Sequence, residues 1–268
     1  MARIAINGLG RIGKLIVRAA MDQGLSGDIV LLNDALGTPE QHALLMEFDT
    51  VHGRWPAEIQ YGSDQISING ASMRVTATAQ LEDLPLSDID LVIDCTGAFK
   101  STRALAPYFD AGVKKVLVSA PVKTEPALNL VYGINHDLYD PARHHLVTAA
   151  SCTTNCIAPV VKVMHEEIGI VHGSITTIHD VTNTQTIVDR PAKDMRRARS
   201  ALNNLIPTTT GSATAITLIY PELKGRLNGH AVRVPLLNAS LTDCVFEVER
   251  ATDAEELNAL FKLSLIHI

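Results

Sequence analysis

Three glycines constrain this chain more than any other feature of its sequence. They are spaced as Gly8-x-Gly10-x-x-Gly13, directly after the β-prone run at residues 3–7 and directly before a helical pattern. In that order of strand, glycine turn and helix, the spacing indicates a dinucleotide-binding turn rather than a turn that serves packing alone. Gly8 would permit the tight turn, Gly10 would let a pyrophosphate approach the backbone, and Gly13 would let helix and strand pack closely. The start of the helix would offer free N–H groups to the phosphates.

The residues after the turn extend it into a strand–helix–strand unit. A second strand is predicted at residues 29–32 and is followed by Asn33-Asp34. A carboxylate at Asp34 can accept hydrogen bonds from the hydroxyls of an adenosine ribose and would repel a 2′-phosphate, so NAD is favoured over NADP as the cofactor. The helix between the strands is expected to bury one apolar face, formed by Ile12, Leu15, Ile16, Ala19 and Ala20.

The remaining pattern predicts an α/β chain of two domains. Up to about residue 150, buried strands alternate with helices, which is typical of a doubly wound parallel sheet, the Rossmann arrangement. The predicted elements are a hairpin of residues 66–68 and 73–75 around Asn69-Gly70, strands at 90–95, 115–119 and 146–150, and a helix near 101–111. We assign residues 1–150 to an NAD-binding Rossmann domain and residues 151–268 to a second domain of the α+β class.

The second domain has a different pattern of predicted elements. A helix is expected over roughly 153–167, then an alternating strand at 174–179, and later strands at 231–234 and 243–248. Residues 182–210 are polar and lack a clear period, and so long an irregular stretch inside a compact domain is usually functional. A helical pattern returns at 253–262 and is expected to break at residues 263–268.

Composition argues against several other classes of protein. The 268-residue chain has a formal net charge of −6 and only 4% aromatic residues, which disfavours a nucleic-acid-binding surface. No apolar run approaches the roughly 18 residues that a membrane-spanning helix needs, and the N-terminus lacks the layout of a signal peptide. Four cysteines are too few for a disulfide scaffold of this length, so we expect a soluble, cytoplasmic protein.

The segment Ser151-Cys152-Thr153-Thr154-Asn155-Cys156 is the candidate catalytic segment. Cys152 falls between a predicted strand and a predicted helix, where the helix dipole would stabilise a thiolate. By itself, a cysteine is more often a small buried hydrophobic residue. The polar neighbours, the glycine turn and His179 together favour a nucleophile instead. His179 ends an alternating strand, and its ring could hold the thiolate as an ion pair and move protons.

The other cysteines and histidines rank lower. Cys156 lies one helical turn beyond Cys152, but the chain has no second ligand pair with the spacing of a zinc site. Cys95 and Cys244 lie in apolar strands and are expected in the core. His165 is expected on a helix and His172 in a turn.

Six motifs, in order along nearly the whole chain, resemble those of the phosphorylating glyceraldehyde-3-phosphate dehydrogenase family. The most specific is the Ser-Cys-Thr-Thr-Asn-Cys block at 151–156. The others lie at 7–13, 33–34, 179–185, 206–211 and 233–235. The resemblance implies a cytoplasmic homotetramer that uses NAD and inorganic phosphate to oxidise glyceraldehyde 3-phosphate, a phosphorylated aldehyde, to 1,3-bisphosphoglycerate.

The resemblance also implies a role for individual residues. Cys152 would be the nucleophile that forms a thioester, and His179 would be the general base. The implied ligands of the attacking phosphate are Ser151, Thr153, Thr210 and Gly211. The implied ligands of the substrate's own phosphate are Thr182, Thr184 and Arg233, with Arg199 as a neighbour. The implied cofactor contacts are Gly8, Gly10, Arg11, Ile12, Gly13, Asp34, Thr96 and Ser119.

The sequence departs from common glycolytic members of the family in three respects. Residues 193–199 contain an Arg-Arg pair, which resembles erythrose-4-phosphate dehydrogenases and dehydrogenases associated with arsenate resistance, unless these arginines only make subunit contacts. The run His-Asp-Val-Thr-Asn-Thr at 179–184 leans toward the latter, in which arsenate attacks and gives 1-arseno-3-phosphoglycerate. Leu9 replaces a common aromatic residue. The family's chain continues beyond residue 268, so we expect the second domain to be incomplete at its C-terminus.

Overall fold

The computed structural model describes residues 2–25 and 27–265 and divides the chain into two compact units. The first unit consists of Met1–Leu130 and Leu138–Ala150, and the second of Val131–Asp137 and Ser151–Ile268. The short segment Val131–Asp137 therefore belongs to the second unit although it precedes residue 150. In the part of the chain that the structure describes, no helix is long and apolar enough to cross a membrane.

The first unit is built on a large sheet. Its strands are β1 (Ile4–Asn7), β2 (Ile29–Asn33), β3 (Phe48–Asp49), β4 (Gly53–Arg54), β5 (Ile59–Tyr61), β6 (Gln65–Ile68), β7 (Ala71–Thr76), β8 (Leu91–Asp94), β9 (Lys115–Val118), β10 (Leu128–Asn129) and β11 (Leu146–Thr148). Its helices are α1 (Arg11–Asp22), α2 (Pro39–Glu47) and α3 (Thr102–Asp110). Within the described ranges, nine strands form one sheet in the order β10-β11-β9-β8-β1-β2-β7-β6-β5, and β3 and β4 form a separate ribbon. The strands from β10 to β7 run parallel and the last two antiparallel, which confirms the predicted α/β fold.

Both faces of this sheet are buried, as a doubly wound fold requires. Leu31 belongs to one apolar cluster and Leu32 to another, because successive side chains of a strand point to opposite faces. Helix α3 contributes Leu105 to the first cluster, whereas Val17 of α1 and Met46 of α2 belong to the second. Burying each such side chain stabilises the fold by roughly 1.5–3 kcal/mol.

Helix α1 buries a different face from the predicted one. Of the predicted face, Ile12 is 54% exposed, Ala19 is exposed and the rest is half-buried. The buried positions are Gly13, Lys14, Val17 and Arg18. The two cations among them are paired with backbone: Arg18 Nε donates to Met46 O at 2.7 Å, and Lys14 Nζ donates to Leu9 O. Because their charged ends have carbonyl partners, these long side chains can lie against the sheet.

The predicted hairpin in the first unit is confirmed. Strands β6 and β7 pair antiparallel, with Ile68 opposite Ala71. Asn69 and Gly70 between them have φ values of +50° and +83°. A two-residue turn of this kind needs left-handed backbone at both positions, which asparagine and glycine tolerate best.

The second unit combines a mixed sheet with helices. Its strands are β12 (Ile170–His179), β13 (Ile206–Thr209), β14 (Leu227–Arg233) and β15 (Leu241–Val248), and its helices are α4 (Cys152–Val163), α5 (Ser212–Ile216) and α6 (Ala254–Leu265). The sheet order, for the described residues, is β13-β14-β12-β15. Strands β12 and β14 are parallel, and the two outer strands are antiparallel to their neighbours.

Three expectations for the second unit need correction. The helix predicted over 153–167 is two elements, because α4 passes into a π-helical turn at Met164–Ile168 that ends at Gly169, where φ is +84°. His172 lies in β12 and not in a turn. Helix α6 runs to Leu265, so the predicted break at residue 263 is wrong for 263–265, and residues 266–268 lie outside the described residues.

The irregular stretch at 182–210 is folded back on itself. It contains a short 3-10 helix at Met195–Ala198 and the strand β13. Backbone hydrogen bonds join its two limbs, from Arg190 N to Ala198 O at 3.0 Å and from Ala201 N to Thr186 O at 2.7 Å. These bonds hold the two limbs of the segment against each other.

Candidate active site

The predicted cofactor residues lie at one edge of the first unit's sheet. Gly8, Asp34, Thr96 and Ser119 follow the C-terminal ends of β1, β2, β8 and β9, which are neighbouring parallel strands. In open parallel sheets, ligands bind at this edge, where the strand order reverses. Strand β1 is the reversal point here, because the chain goes from it to β2 on one side and later to β8 on the other.

The glycine turn has the shape that a dinucleotide needs. Gly8 has a φ of +96°, and a Cβ there would lie 2.6 Å from the backbone of Cys95 and Thr96. A Cβ on Gly13 would lie 1.9 Å from Gly8 O, whereas a Cβ on Gly10 would point into open space. Gly8 and Gly13 therefore allow the backbone to close up, and Gly10 leaves room for a pyrophosphate at the start of α1. The residues present fit NAD.

The side chains around the turn are held in place by the protein. Asp34 Oδ2 accepts a hydrogen bond from Leu9 N at 2.7 Å, and Oδ1 accepts one from Leu36 N at 3.0 Å. A carboxylate has about four acceptor sites, so capacity remains for a ribose. Arg11 lies 3.2 Å from Asp49, and the exposed Ile12 follows it at the start of α1.

A buried polar network lies beneath this edge, and the sequence analysis missed it. Asn7 Nδ2 donates to the Tyr108 hydroxyl at 2.6 Å, and that hydroxyl donates to Asp94 Oδ2 at 2.7 Å. The other Asp94 oxygen accepts from the Thr96 hydroxyl at 2.8 Å. Burial raises the pKa of Asp94. The bond from Thr96 to Asp94 thus fixes the turn after β8. Ser119 follows the neighbouring strand β9, and its N–H donates to Asp94 O at 2.9 Å.

In the second unit, Cys152 is the first residue of α4 and Ser151 caps that helix. The Ser151 hydroxyl accepts from Thr154 N at 3.1 Å and lies 2.6 Å from the Thr154 hydroxyl. Ala150 before it has a φ of +53°, a left-handed conformation that is strained for a residue with a Cβ. The sharp turn presents the exposed Cys152 at the positive end of the helix dipole. Ser151, predicted as a phosphate ligand, uses its hydroxyl for the cap.

Cys152 and His179 form a pair. Cys152 Sγ lies 3.6 Å from His179 Nε2 and 3.9 Å from the Thr153 hydroxyl. His179 ends β12 and is only 6% exposed. The hydrogen bond with His179 lowers the pKa of Cys152, and the same bond raises the pKa of His179. Both shifts favour a thiolate beside an imidazolium.

The second ring nitrogen of His179, Nδ1, meets Asp180 and Arg233. It lies 2.6 Å from Asp180 Oδ1, 2.9 Å from Asp180 O and 2.9 Å from Arg233 Nη1. A guanidinium can only donate, and Arg233 Nη1 donates to Asp180 O at 2.8 Å. The carboxylate of Asp180 is the nearest of these partners and favours a proton on Nδ1, and Nε2 is the nitrogen that faces the sulfur.

Buried polar groups surround this pair on one face of the sheet. Strand register places Thr177 and His179 of β12 on the same face as Arg233 of β14 and Thr208 of β13. Among the residues that the structure describes, Thr177 Oγ1, Thr208 Oγ1 and Arg233 Nε are buried without a hydrogen-bond partner. Leaving such a donor unpaired costs about 1–3 kcal/mol, so these atoms indicate a place for water or the polar atoms of a ligand.

A cavity of about 280 Å³ opens beside Cys152. Its lining includes Thr153, Thr177, Asp180 and Ser240. The cavity is therefore bounded by α4, by β12 and by the loop before β15. A small polar molecule in it would be in contact with the sulfur.

Two hydroxyls and two cations form a second cluster. The hydroxyls of Thr182 and Thr184 are 3.0 Å apart, and Arg197 Nη1 donates to the Thr184 hydroxyl at 2.7 Å. Burial and the nearby charge of Arg197 lower the pKa of Arg233. Guanidinium and hydroxyl donors that converge in this way suit a phosphate dianion.

Arg199, predicted as the neighbour of this cluster, lies elsewhere. Its Nε is 3.2 Å from Asp189, and its side chain is 69% exposed. The position expected for it belongs to Arg197. Arg197 lies within the 3-10 helix at Met195–Ala198, whereas Arg199 follows that helix in extended conformation, and the sequence carried no signal that distinguishes the two.

Thr210 and Gly211 stand at the start of α5, which packs on α4. Gly211 is the N-cap of α5, and a Cβ added to it would meet open space. Thr153, buried in the first turn of α4, carries a hydroxyl 3.9 Å from the Cys152 sulfur. The residues predicted for the attacking phosphate therefore come from the starts of two helices in contact.

The remaining cysteines and histidines do not resemble Cys152 and His179. Burial raises the pKa values of Cys95 and Cys244 to about 11, so both stay protonated thiols. Cys156 is exposed and lies 3.5 Å from the Thr242 hydroxyl. His165 lies 3.0 Å from Glu222. In the described ranges, no group of three or more His, Cys, Asp or Glu side chains could hold a metal ion.

Family models match both units of the chain. The glyceraldehyde 3-phosphate dehydrogenase NAD binding domain matches residues 2–102, and the C-terminal domain of the same family matches residues 151–265. The parallel sheet, its glycine turn and these matches define the chain as an NAD-dependent oxidoreductase.

Similar proteins from several bacteria indicate one family within this class of oxidoreductases. A protein of Nostoc sp. named glyceraldehyde-3-phosphate dehydrogenase 3 is 58% identical over 262 residues, which are 97% of this chain and 77% of the relative. Proteins named glyceraldehyde-3-phosphate dehydrogenase from Streptomyces coelicolor and Geobacillus stearothermophilus are each 46% identical, with the same coverage of both chains. The chain belongs to the glyceraldehyde-3-phosphate dehydrogenase family.

Proposed function

We propose that this chain carries out the phosphorylating oxidation of glyceraldehyde 3-phosphate through a thioester on Cys152. The observation that supports these residue roles most strongly is the 3.6 Å contact between Cys152 Sγ and His179 Nε2 at the start of α4. A thiolate is the reactive form of cysteine, and both the imidazole and the helix dipole favour it.

The first half of the reaction oxidises the aldehyde. The Cys152 thiolate attacks the aldehyde carbon, and the new C–S bond leaves an alkoxide that His179 protonates to give a hemithioacetal. We assign the stabilisation of the oxyanion to the backbone N–H of Cys152, the first residue of α4. His179 Nε2 then takes back the hydroxyl proton as the carbon loses a hydride, which leaves the thioester. NAD would accept that hydride when bound, and Gly8, Gly10, Gly13 and the start of α1 would hold it, with Asp34 as the partner of the adenosine ribose.

The second half transfers the acyl group to phosphate. An oxygen of inorganic phosphate attacks the thioester carbon, the C–S bond breaks, and Cys152 leaves as a thiolate with 1,3-bisphosphoglycerate as the product. We assign the attacking phosphate to Thr153, Thr210 and Gly211, with Ser151 acting through the helix cap. Donors at these positions bind an anion without introducing a fixed positive charge beside the thiolate.

The substrate's own phosphate is assigned to the second cluster. Thr182, Thr184, Arg197 and Arg233 offer two hydroxyls and two guanidinium groups. Binding energy from a phosphate remote from the reacting carbon orients that carbon against the sulfur. The unpaired Arg233 Nε gives this site a donor that the free protein leaves unused.

An arsenate-using reaction is the second candidate. It is favoured by the sequence His179-Asp180-Val181-Thr182-Asn183-Thr184 and by the Arg196-Arg197 pair. Arsenate has the shape and charge of phosphate, so the same donors would bind it, and attack on the thioester would give 1-arseno-3-phosphoglycerate. Erythrose 4-phosphate, which is one carbon longer, is the alternative aldehyde.

We also propose that the protein is a homotetramer of the cytoplasm. Large apolar side chains of the 182–210 segment are exposed: Ile187, Val188, Met195, Leu202 and Leu205. A concentration of such side chains suits a contact between subunits. An exposed, ionised Cys152 is oxidised readily, which suits a reducing compartment. Light scattering on the purified protein tests the subunit number, and fractionation of cells tests the location.

Turnover measurements test the proposed reaction. NADH absorbance is followed with each aldehyde, glyceraldehyde 3-phosphate or erythrose 4-phosphate, in the presence of phosphate or arsenate. We expect the highest kcat/KM with glyceraldehyde 3-phosphate and phosphate. A higher value with arsenate would favour the second candidate, and absence of NADH formation with every combination would refute the proposal. Cys152→Ser is expected to abolish turnover and to bind NAD with unchanged affinity.

A further inference from the structure

The carboxylate of Asp180 is closely engaged with the ring of His179. Asp180 Oδ1 lies 2.6 Å from His179 Nδ1 and accepts a second hydrogen bond from the Ser240 hydroxyl at 3.2 Å. The Ser240 oxygen in turn accepts from Asp180 N at 3.1 Å. Asp180 and Ser240 both line the cavity that contains Cys152. Four groups therefore follow one another in space. They are the Cys152 sulfur at the start of α4, the His179 imidazole at the end of β12, the Asp180 carboxylate, and the Ser240 hydroxyl in the loop before β15.

We propose that Asp180 is a positioning residue that, with Ser240, orients His179 so that Nε2 faces the sulfur and Cys152 stays ionised. This role rests on the proposed function of the Cys152–His179 pair. A backbone carbonyl can also accept the Nδ1 proton, but it carries no full negative charge that would offset a neighbouring cation. The Asp180 carboxylate carries that charge.

The charge that Asp180 opposes is that of Arg233. Arg233 Nη1 lies 2.9 Å from His179 Nδ1, and it shares the Asp180 carbonyl oxygen with that nitrogen. A cation at this distance disfavours a second positive charge on the ring and, as a donor, favours a bare Nδ1 with the proton moved to Nε2. The carboxylate reverses both preferences, because it accepts the proton of Nδ1 and offsets the guanidinium.

The charged and titratable groups that face His179 come from three elements. They are Cys152 from the start of α4, Asp180 next to the ring and Arg233 from β14. Arg197 adds positive charge beside Arg233. Without the negative charge of Asp180, Arg233 and Arg197 would both disfavour a positive charge on the His179 ring. The equilibrium would therefore shift from the thiolate–imidazolium pair toward the neutral thiol and neutral imidazole.

The test is the pH dependence of Cys152 alkylation in Asp180→Asn. Iodoacetamide reacts with the thiolate, and fragmentation mass spectrometry separates the Cys152 adduct from that of Cys156. We expect the apparent pKa of the Cys152 thiol to rise by about one unit, which slows alkylation about tenfold at pH values below the parent pKa and leaves the rate at high pH unchanged. A profile identical to that of the parent protein would overturn the proposal.

Two further variants separate positioning from general damage. Asp243→Asn removes an exposed carboxylate from β15 of the same sheet and is expected to keep the parent profile. Ser240→Ala keeps the Asp180 carboxylate but removes one of its partners, so we expect a shift in the same direction of about two- to threefold in rate. An equal shift in Asp243→Asn would show a general charge effect and would also overturn the proposal.

The experiment is independent of aldehyde turnover. If the protein forms no NADH from any aldehyde, the proposed function fails while the alkylation profiles still decide the role of Asp180. If turnover is normal and Asp180→Asn keeps the parent profile, the function stands and the positioning role fails. Far-UV circular dichroism of each variant identifies a change of fold, and Ser240→Ala keeps the test open if Asp180→Asn does not fold.

Discussion

The two units prepare their ligand-binding groups in opposite ways. In the cofactor unit the backbone defines the site, because Gly8 and Gly13 stand where a Cβ would collide with neighbouring backbone. The polar side chains beneath that edge are already paired with one another, from Asn7 through Tyr108 to Asp94. In the catalytic unit, the donors of Thr177 and Arg233 are among the described buried atoms that have no partner.

This difference follows from what each site has to do. A dinucleotide is long and presents phosphates to backbone N–H groups, so a fixed turn at the start of a helix is sufficient. The catalytic unit must bind two phosphate groups and move protons, which requires side chains with unused donors and shifted pKa values. Substitutions should therefore act through shape in the first unit and through charge in the second.

The largest effect is expected from Gly13→Ala. Its Cβ would lie 1.9 Å from Gly8 O, and neither backbone segment can move without opening the contact between α1 and the sheet. We expect a loss of about 3 kcal/mol in the free energy of unfolding. Gly10→Ala is the matched control, because the Cβ would enter open space. Denaturant unfolding should leave Gly10→Ala within about 0.5 kcal/mol of the parent, while its Kd for NAD rises about tenfold.

Equal instability of the two glycine variants would contradict the division between the units. It would mean that any glycine of the turn is needed for stability, whether or not a Cβ there would collide with neighbouring backbone. Isothermal titration with NAD on both variants separates folding from binding, since only Gly10→Ala is expected to fold well and bind weakly.

The next effect tests charge in the catalytic unit. Arg197→Ala removes the guanidinium that donates to Thr184 at 2.7 Å. A truncated charge-assisted hydrogen bond costs about 1.5–3 kcal/mol, so kcat/KM for the phosphorylated aldehyde should fall by about 10- to 150-fold. Arg199→Ala removes an exposed arginine of the same segment and should change kcat/KM less than about twofold. If the two variants had exchanged effects, the resemblance-based assignment of Arg199 would be right.

The smallest effect concerns Ser151. Its hydroxyl caps α4, so Ser151→Ala should lower the free energy of unfolding by about 1 kcal/mol. The KM for phosphate should stay within about twofold of the parent value, because no interaction with the ligand is lost. Thr153→Val removes the hydroxyl 3.9 Å from the sulfur, keeps the side-chain shape, and should raise that KM instead. A large rise in KM for Ser151→Ala would make Ser151 a phosphate ligand.

The sequence predicted what depends on local spacing. The glycine turn, the parallel strands and the Asn69-Gly70 hairpin each follow from a period or a backbone conformation that a few adjacent residues impose. We also expected Cys152 and His179 to lie close together, because Cys152 follows a predicted strand, His179 ends another strand, and the two residue types together form a pair of known chemistry.

What depends on the path of the chain was not predictable. Arg197 and Arg199 look alike in the sequence, and only the folded-back 182–210 segment decides which of them reaches Thr184. The buried face of α1 was misjudged because Lys14 and Arg18 bury their charged ends against backbone carbonyls, Lys14 on Leu9 just before the helix and Arg18 on Met46, which lies 28 positions away. Asp180 gave one usable signal, a carboxylate next to His179, but its contact with Ser240 spans 60 positions.

The central claim is that the substrate is oxidised while covalently bound to Cys152. It is tested most directly by mixing the protein with glyceraldehyde 3-phosphate and NAD in the absence of phosphate, followed by acid quenching and peptide mass spectrometry. We predict a burst of one NADH per subunit and a 3-phosphoglyceroyl adduct on Cys152, which disappears when phosphate is added. A burst with the adduct on Cys156, or steady NADH formation with no acylated cysteine, would contradict the account.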